Sequence, residues 1–237
     1  MGAVVARLIR FWKPWGVLSQ FTDPRGRATL GDFIDSPGVY PAGRLDLDSE
    51  GLLLLTDSGP LQARIAGKGS PMLKTYLAFV EGPPDDAALA QLCRNVPLRD
   101  GPARALGAQR VPAPGLPARD PAPAPRPGRA TGWVELRLDE GRNRQVRRML
   151  AAVGSPVLRL VRTAIGPWTL EGLAPGESAS ETLHAPLSGR QGPRRPRQHR
   201  ANPTRSRRGP PDDRPRGTRS SARRSGTAPS SRRRRGS

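Results

Sequence analysis

P-A-G-R-L-D-L-D-S-E-G-L-L-L-L-T, residues 41–56, joins two kinds of chemistry in one short span. Arg44, Asp46, Asp48, Ser49 and Glu50 crowd polar groups between Gly43 and Gly51. Residues 52–55 are an unbroken apolar run, too short for a typical helix and preceded by glycine. Such a run reads as a strand buried on both faces. A polar loop anchored to a rigid core strand is a common way for a fold to present catalytic side chains.

Outward from this span, regular elements alternate with turn chemistry. Residues 3–11 are largely apolar and read as a first strand, stopped by Pro14 and Gly16. Residues 29–34 suit a short helix with Thr29 as N-cap and Asp32 returning to it, a weak capping box. Pro60, with Leu61 and Ile65 four apart, suits a short helix over 60–65. Residues 73–80 alternate, with Leu73, Thr75, Leu77 and Phe79 on one face and Lys74, Tyr76, Ala78 and Val80 on the other. This predicts a strand, and the shared face of Lys74 and Tyr76 is expected to be partly wet. A helix is expected over 85–93, capped by Asp85 or Asp86, with Leu89, Leu92 and Cys93 on one face. Residues 133–138 and 157–165 read as strands. A helix over 143–153 lies between them, with Asn143 as N-cap and Gly154 closing it. Strands dominate and helices are separated, so the expected fold class is α+β with a large mixed or antiparallel sheet. Residues 111–128, rich in Pro, Ala and Gly, read as an extended, mobile surface loop.

The chain has 237 residues and a formal net charge of +20. Its distribution is uneven. Residues 189–237 hold 17 arginines against Asp212 and Asp213, a net +15, which leaves +5 for residues 1–188. The arrangement predicts one folded domain over 1–188 and a disordered basic tail over 189–237, which has too few large apolar residues to offset the entropy of ordering. A polyanion is the natural partner, nucleic acid ahead of a membrane surface, because the tail lacks aromatic and aliphatic residues that would insert.

Several chemistries are nearly excluded. Cys93 is the only cysteine, and the two histidines, His184 and His199, lie at or beyond the end of the body. Neither a disulfide framework, nor a cysteine-rich zinc site, nor a Ser-His-Asp triad fits. No signal peptide or membrane span is legible, and Ala6 stands where a myristoylation motif wants Ser or Thr. The protein is expected to be soluble and cytoplasmic.

Two constellations remain. Arg144, Arg147 and Arg148 fall at i, i+3, i+4 of the expected helix, opposite Val146, Met149, Leu150 and Val153. They form either a solvated basic stripe or a set of guanidinium groups for phosphate or carboxylate, with Arg142 at the helix N-terminus adding to the second reading. The carboxylates of Asp46, Asp48 and Glu50 fit a solvated acidic turn, a capping arrangement, a metal site too short for a calcium loop, or a glycoside-hydrolysing pair. Spacing alone leaves these open. The low aromatic content, 4% of the chain, disfavours sugar platforms.

The run G-R-L-D-x-D-S-E-G-L-L-L-L-T (43–56) resembles the catalytic motif of bacterial rRNA pseudouridine synthases of the RsuA/RluB/RluE/RluF group. F-W-K-P-W-G-V-L (11–18), K-T-Y (74–76), E-G-R-N-R-Q-V-R-R-M (140–149) and L-R-L-V-R-T-A-I-G (158–166) follow in the family's order, so the resemblance spans roughly residues 7–178. Within the group, Q-F-T-D-x-x-G-R-x-T-L (20–30) points to the RluE-type branch, which modifies one uridine of 23S rRNA. The small RNA-binding module that many relatives carry before the F-x-K-P block is expected to be absent, since ten residues precede Phe11. The resemblance implies isomerisation of uridine to pseudouridine without cofactor or metal, on 23S rRNA or a large-subunit assembly intermediate; a monomer is expected. It implies that Asp46 is the essential aspartate and that Tyr76 packs on the target base. Arg147 is implied to pair with the aspartate, and Arg44 to contact RNA beside the flipped nucleotide. Lys74, Arg142, Arg144 and Arg148 are assigned to RNA binding. Asp48 and Glu50 are assigned to holding the loop. The alternative is a non-catalytic RNA-binding or ribosome-assembly factor on the same fold.

Overall fold

The computed structural model describes residues 4–67, 69–70 and 72–185; the expectations for the tail and for His199 lie outside them. Among the described residues the strands are β1 (Val4–Lys13), β2 (Tyr40–Pro41), β3 (Glu50–Thr56), β4 (Lys74–Glu81), β5 (Gly107–Val111), β6 (Thr131–Leu138), β7 (Val157–Ile165), β8 (Trp168–Thr169) and β9 (Ser178–Ala185). The helices are α1 (Gly59–Ala66), α2 (Asp86–Arg94) and α3 (Gln145–Ala152). The strands form one mixed sheet in the order β5-β6-β4-β7-β3-β1-β9, with β2 added to β3 and β8 to β7. All pairings are antiparallel except β3 with β7.

That parallel contact joins two antiparallel halves and is short, with Glu50 opposite Val161 and Gly51 opposite Arg162. Gly51 has φ +104°, and a Cβ there would collide with the Arg162 backbone. Only glycine permits so close an approach at that backbone angle. The expected burial of β3 on both faces is met. Leu52 and Leu54 pack with Leu8, Trp12, Ile65 and Val161 on one side, and Leu53 and Leu55 with Ile9, Phe11, Leu30 and Ile34 on the other. A third cluster fills the other half of the sheet, where Leu92 of α2 and Val146, Met149 and Leu150 of α3 cover β4 and β6.

The short-range signals hold at several places. Thr29 and Asp32 form the expected capping box around the 3-10 turn Leu30–Asp32, and Asp85 caps α2 through the Ala88 amide at 2.8 Å. Other expectations are corrected. The first strand runs on through Lys13. Helix α3 starts at Gln145, not Asn143, because Arg144 sits in the left-handed region at φ 48° as its N-cap, with no side-chain cap bond. The first helical amide, that of Gln145, donates instead to the Arg142 carbonyl at 3.1 Å, while the Arg142 amide donates to Gln145 Oε1 at 2.9 Å. The Tyr76 face of β4 is its buried face, with Lys74, Tyr76, Ala78 and Val80 all buried. Residues 112–128 are irregular, as expected, but they lie along the body. Leu116 packs on the β1–β3 core, the Arg119 guanidinium sits 5.5 Å from the Trp15 ring centroid, and Arg126 Nε donates to Glu81 Oε2 at 2.7 Å.

Candidate active site

The loop between Gly43 and Gly51 is tied down from beneath by Ser19, which lies outside every motif block, and by Lys13 and Gly16, which sit in the 11–18 block without an assigned role. The buried Ser19 hydroxyl donates to the Leu45 carbonyl at 2.8 Å and accepts from the Leu45 amide at 3.0 Å, fixing the backbone next to Asp46. The Ser49 amide closes a turn onto the Asp46 carbonyl at 3.1 Å, and the Gly16 amide donates to the Leu47 carbonyl at 2.9 Å. Lys13 is fully buried at the end of β1 and donates from Nζ to the carbonyls of Pro14 and Val17, at 2.8 and 2.6 Å. Burial lowers its pKa to about 8, opposed by the charges of Glu50, Asp48 and Asp46 and reinforced by Arg162. A lysine at the end of an apolar strand was the available sequence signal for such a group.

Asp46 and Asp48 have different partners. The Asp48 carboxylate takes both arms of the Arg144 guanidinium, at 2.9 and 2.8 Å, and lies 3.5 Å from Arg147 Nε. Burial works to raise its pKa, but the Arg144 hydrogen bond and the charges of Arg147 and Arg144 prevail and hold it below the usual carboxylate range. Asp46 keeps its carboxylate free of such a fork, and its nearest cation is Arg144, with Nη1 3.7 Å from Oδ2. The side chain is 34% exposed and lines a cleft of about 1620 Å³. The pairing of Asp46 with Arg147 implied by the resemblance is therefore replaced by pairing with Arg144. Arg147 is largely buried, and its Nη2 and Nη1 donate to the carbonyls of Asp48 at 2.7 Å and Val157 at 3.1 Å. Burial lowers its pKa, with the charge of Asp48 opposing. From this position it fastens α3 to the Asp48 loop.

Tyr76, Lys74, Arg44, Arg142 and Arg144 line the same cleft as Asp46. Arg147 and Arg148 are not among its walls. Arg148 is turned toward Asp100, which it grips at 2.6 and 3.0 Å, and Arg142 is forked onto the carbonyls of Asp100, Gly101 and Pro102 at 2.9–3.2 Å. Burial lowers the pKa of Lys74, as does the charge of Arg162. Glu50 is withdrawn from the cleft into a buried fork with Arg159, at 3.0 and 2.8 Å, which suits the loop-holding role expected of it. No group of three or more His, Cys, Asp or Glu among the described residues is placed to hold a metal ion.

The cleft combines the Asp46 carboxylate, one aromatic ring and several cations, with Asp139 and Glu140 adding carboxylates on the β6–α3 side. Its volume exceeds the roughly 300–1,000 Å³ typical of small-ligand pockets, and it suits a segment of an anionic polymer with one unit inserted. The nucleic-acid reading of the charge balance and the carboxylate chemistry of the loop thus meet in one place.

Residues 7–152 match the family model of RNA pseudouridylate synthase. The chain is 51% identical over 173 residues to ribosomal large subunit pseudouridine synthase E of Xanthomonas campestris pv. campestris, covering 72% of this chain and 92% of that one. It is 48% identical over 171 residues to the protein of the same name from Vibrio vulnificus, covering 72% and 73%. Among solved structures, a crystal structure of pseudouridylate synthase superposes with a TM-score of 0.58 at 30% identity, covering 74% of this chain and 70% of that one. The match takes in the Asp46 loop, Tyr76 and the arginines at the start of α3, and with a fold shared at that identity it makes the chain a member of the RNA pseudouridylate synthase family.

Proposed function

We propose that this enzyme isomerises one uridine of large-subunit (23S) ribosomal RNA to pseudouridine, with Asp46 and Tyr76 as the groups that touch the reacting nucleotide. The observation that carries the reading is that Asp46, alone among the loop carboxylates, lines the cleft together with Tyr76 while its own charge is only loosely engaged, at 3.7 Å from Arg144. A uridine within a helix hides C1′ and N1, so the nucleotide must first be everted into the cleft. Tyr76 then offers a stacking face, an interaction worth about 1–3 kcal/mol per base. Asp46 acts at the sugar, as nucleophile on C1′ or as the base that assists loss of N1. The base rotates, C5 bonds to C1′, and the C5 proton leaves while N1 gains one. Atoms and electrons balance within the substrate, so no redox partner or metal enters the scheme.

Arg144 orients Asp46, and Arg147 acts one step back by fastening α3 to the Asp48 backbone. Arg44, Lys74 and Arg142, which line the cleft, meet the RNA around it, whereas Arg148, held on Asp100, supports the neighbouring loop. The chain supplies Asp46, Tyr76, Arg144 and Arg147 itself, so the site is complete without a second copy, and the substrate favours a cytoplasmic setting. The relatives' names supply the choice of large-subunit RNA.

The test is a map of pseudouridines on large-subunit rRNA from cells with and without the gene, followed by rescue. One uridine is expected to lose modification on deletion, regain it with the wild-type chain, and stay unmodified with Asp46→Asn. Restoration by Asp46→Asn would reduce the chain to a non-catalytic RNA-binding factor on this fold.

A further inference from the structure

Arg162 lies at the centre of β7, directly opposite Tyr76 of β4 on one side and Gly51 of β3 on the other. Its side chain is buried, with the residue 4% exposed, yet it lines the cleft that also holds Asp46 and Tyr76. Nε is committed, donating to the Leu52 carbonyl at 2.8 Å, whereas Nη2 is buried and has no hydrogen-bond partner. The other arginine of this strand, Arg159, has Nε, Nη1 and Nη2 all engaged, so β7 can satisfy a guanidinium where satisfaction is the purpose. An unpaired donor on a buried cation costs free energy unless a ligand completes it.

Resting on the proposed isomerisation, we infer that Arg162 is a further catalytic residue whose Nη2 donates to a carbonyl oxygen of the everted uracil and stabilises the base as it departs. When the C1′–N1 bond breaks, its electron pair goes to the base, and the resulting uracil anion spreads charge over N1 and the two carbonyl oxygens. A guanidinium already desolvated and held by its Nε bond strengthens toward that charge without reorganising, which is the condition for selective stabilisation of a developing anion. The cross-strand position opposite Tyr76 puts it beside the base platform and not beside the phosphates at the cleft rim. The Leu52 carbonyl that holds it belongs to the strand that begins at the end of the Asp46 loop, so both groups are registered to the same strand.

The test compares full-length wild type, Arg162→Gln and Arg162→Lys on large-subunit rRNA transcribed in vitro with either 5-tritiated uridine or 5-fluorouridine. Release of tritium, or loss of 5-fluorouridine nucleoside, is followed under single-turnover conditions, with RNA binding and thermal midpoint measured alongside. Glutamine keeps a donor for the Leu52 carbonyl but loses the charge. Arg162→Gln is expected to slow uridine turnover by about 10²-fold, with RNA affinity within about threefold of wild type. Fluorine makes the base a better leaving group, so the same variant should lose only about tenfold or less on 5-fluorouridine. Arg162→Lys, which keeps a charge without the fork, should fall between the two. Equal defects on both substrates would assign Arg162 to holding the strand and overturn the inference while leaving the isomerisation standing. A wild-type chain that releases no tritium and consumes no 5-fluorouridine would sink the isomerisation and this role with it.

Discussion

Two aspartates at this site show how environment separates chemically identical side chains. Asp48 is neutralised by a full guanidinium fork and serves geometry, whereas Asp46, two residues away, keeps its carboxylate at the cleft wall. The resemblance identified Asp46 and Tyr76 because they sit inside motifs. It assigned Arg147 as the partner of Asp46, whereas Arg144 is the nearer guanidinium; the choice depends on where α3 begins, and the left-handed residue at Arg144 moves the start by two positions. Arg162 also sits inside a motif block, L-R-L-V-R-T-A-I-G, but no role attached to it. Its neighbours Tyr76 and Gly51 are more than eighty residues away in sequence and meet it only through strand pairing. Lys13 carries a prediction at this scale. Its folded pKa of about 8 lies below the ordinary lysine value of 10.5, so between those limits the unfolded chain binds more protons than the folded one. Stability therefore rises with pH across that window, as the penalty for burying the charge is relieved. Lys13→Met lacks this titration. The wild-type minus variant difference in urea midpoint should be flat below pH 7 and climb between pH 8 and 10. A difference that stays level to pH 10 would mean that Lys13 titrates as an exposed lysine.

Elements with a strong local pattern were legible from the sequence, and those defined by their neighbours were not. The leucine run of β3 admits one reading, and the capping box at Thr29 needs no tertiary context. Strand β5, G-A-Q-R-V, is a half-exposed edge strand with no apolar alternation, and it exists because β6 pairs with it. The β3–β7 junction was similarly hidden, although the charges at Glu50 and Arg159 within apolar strands were its trace. Since the backbone register there covers two residue pairs, side chains must do much of the joining. The Glu50–Arg159 fork spans it with side chains 3% and 6% exposed, and Arg159 Nη1 also reaches the Pro117 carbonyl at 3.0 Å. Arg159→Met would leave the buried Glu50 charge with only Arg119, at 3.9 Å, and is expected to cost roughly 3 kcal/mol. Adding Glu50→Gln removes that charge, so the double variant should be more stable than the sum of the single losses by about 1–3 kcal/mol. Urea denaturation of the four proteins in the cycle measures this coupling. A strictly additive double variant would show that the fork does not join the halves.

At the scale of the whole molecule, most of the positive charge lies apart in sequence from the groups that line the cleft. The groups that line the cleft lie within residues 18–165, where the net charge is modest, while residues 189–237 contribute 17 of the chain's arginines. Sequence composition alone shows this division, because charge is a sum over residues and needs no register or burial to be read. Each phosphate neutralised by an arginine releases condensed counterions, so log affinity falls with log salt in proportion to the number of such contacts, with a slope of about −0.7 to −0.9 per contact. If half of the tail's arginines engage phosphates, deleting 189–237 should flatten the slope by roughly 6 and weaken binding most strongly at low salt. The tail holds no Phe, Tyr or Trp on which a uracil could stack, and arginine contacts to phosphate carry no sequence information. Single-turnover rate at saturating RNA, and the identity of the modified uridine, should therefore be unchanged in the truncated chain. Titrations of full-length and truncated protein against large-subunit rRNA between 50 and about 300 mM salt read the slope directly. An unchanged slope would place the phosphate contacts in the body and leave the arginine-rich segment to some other partner.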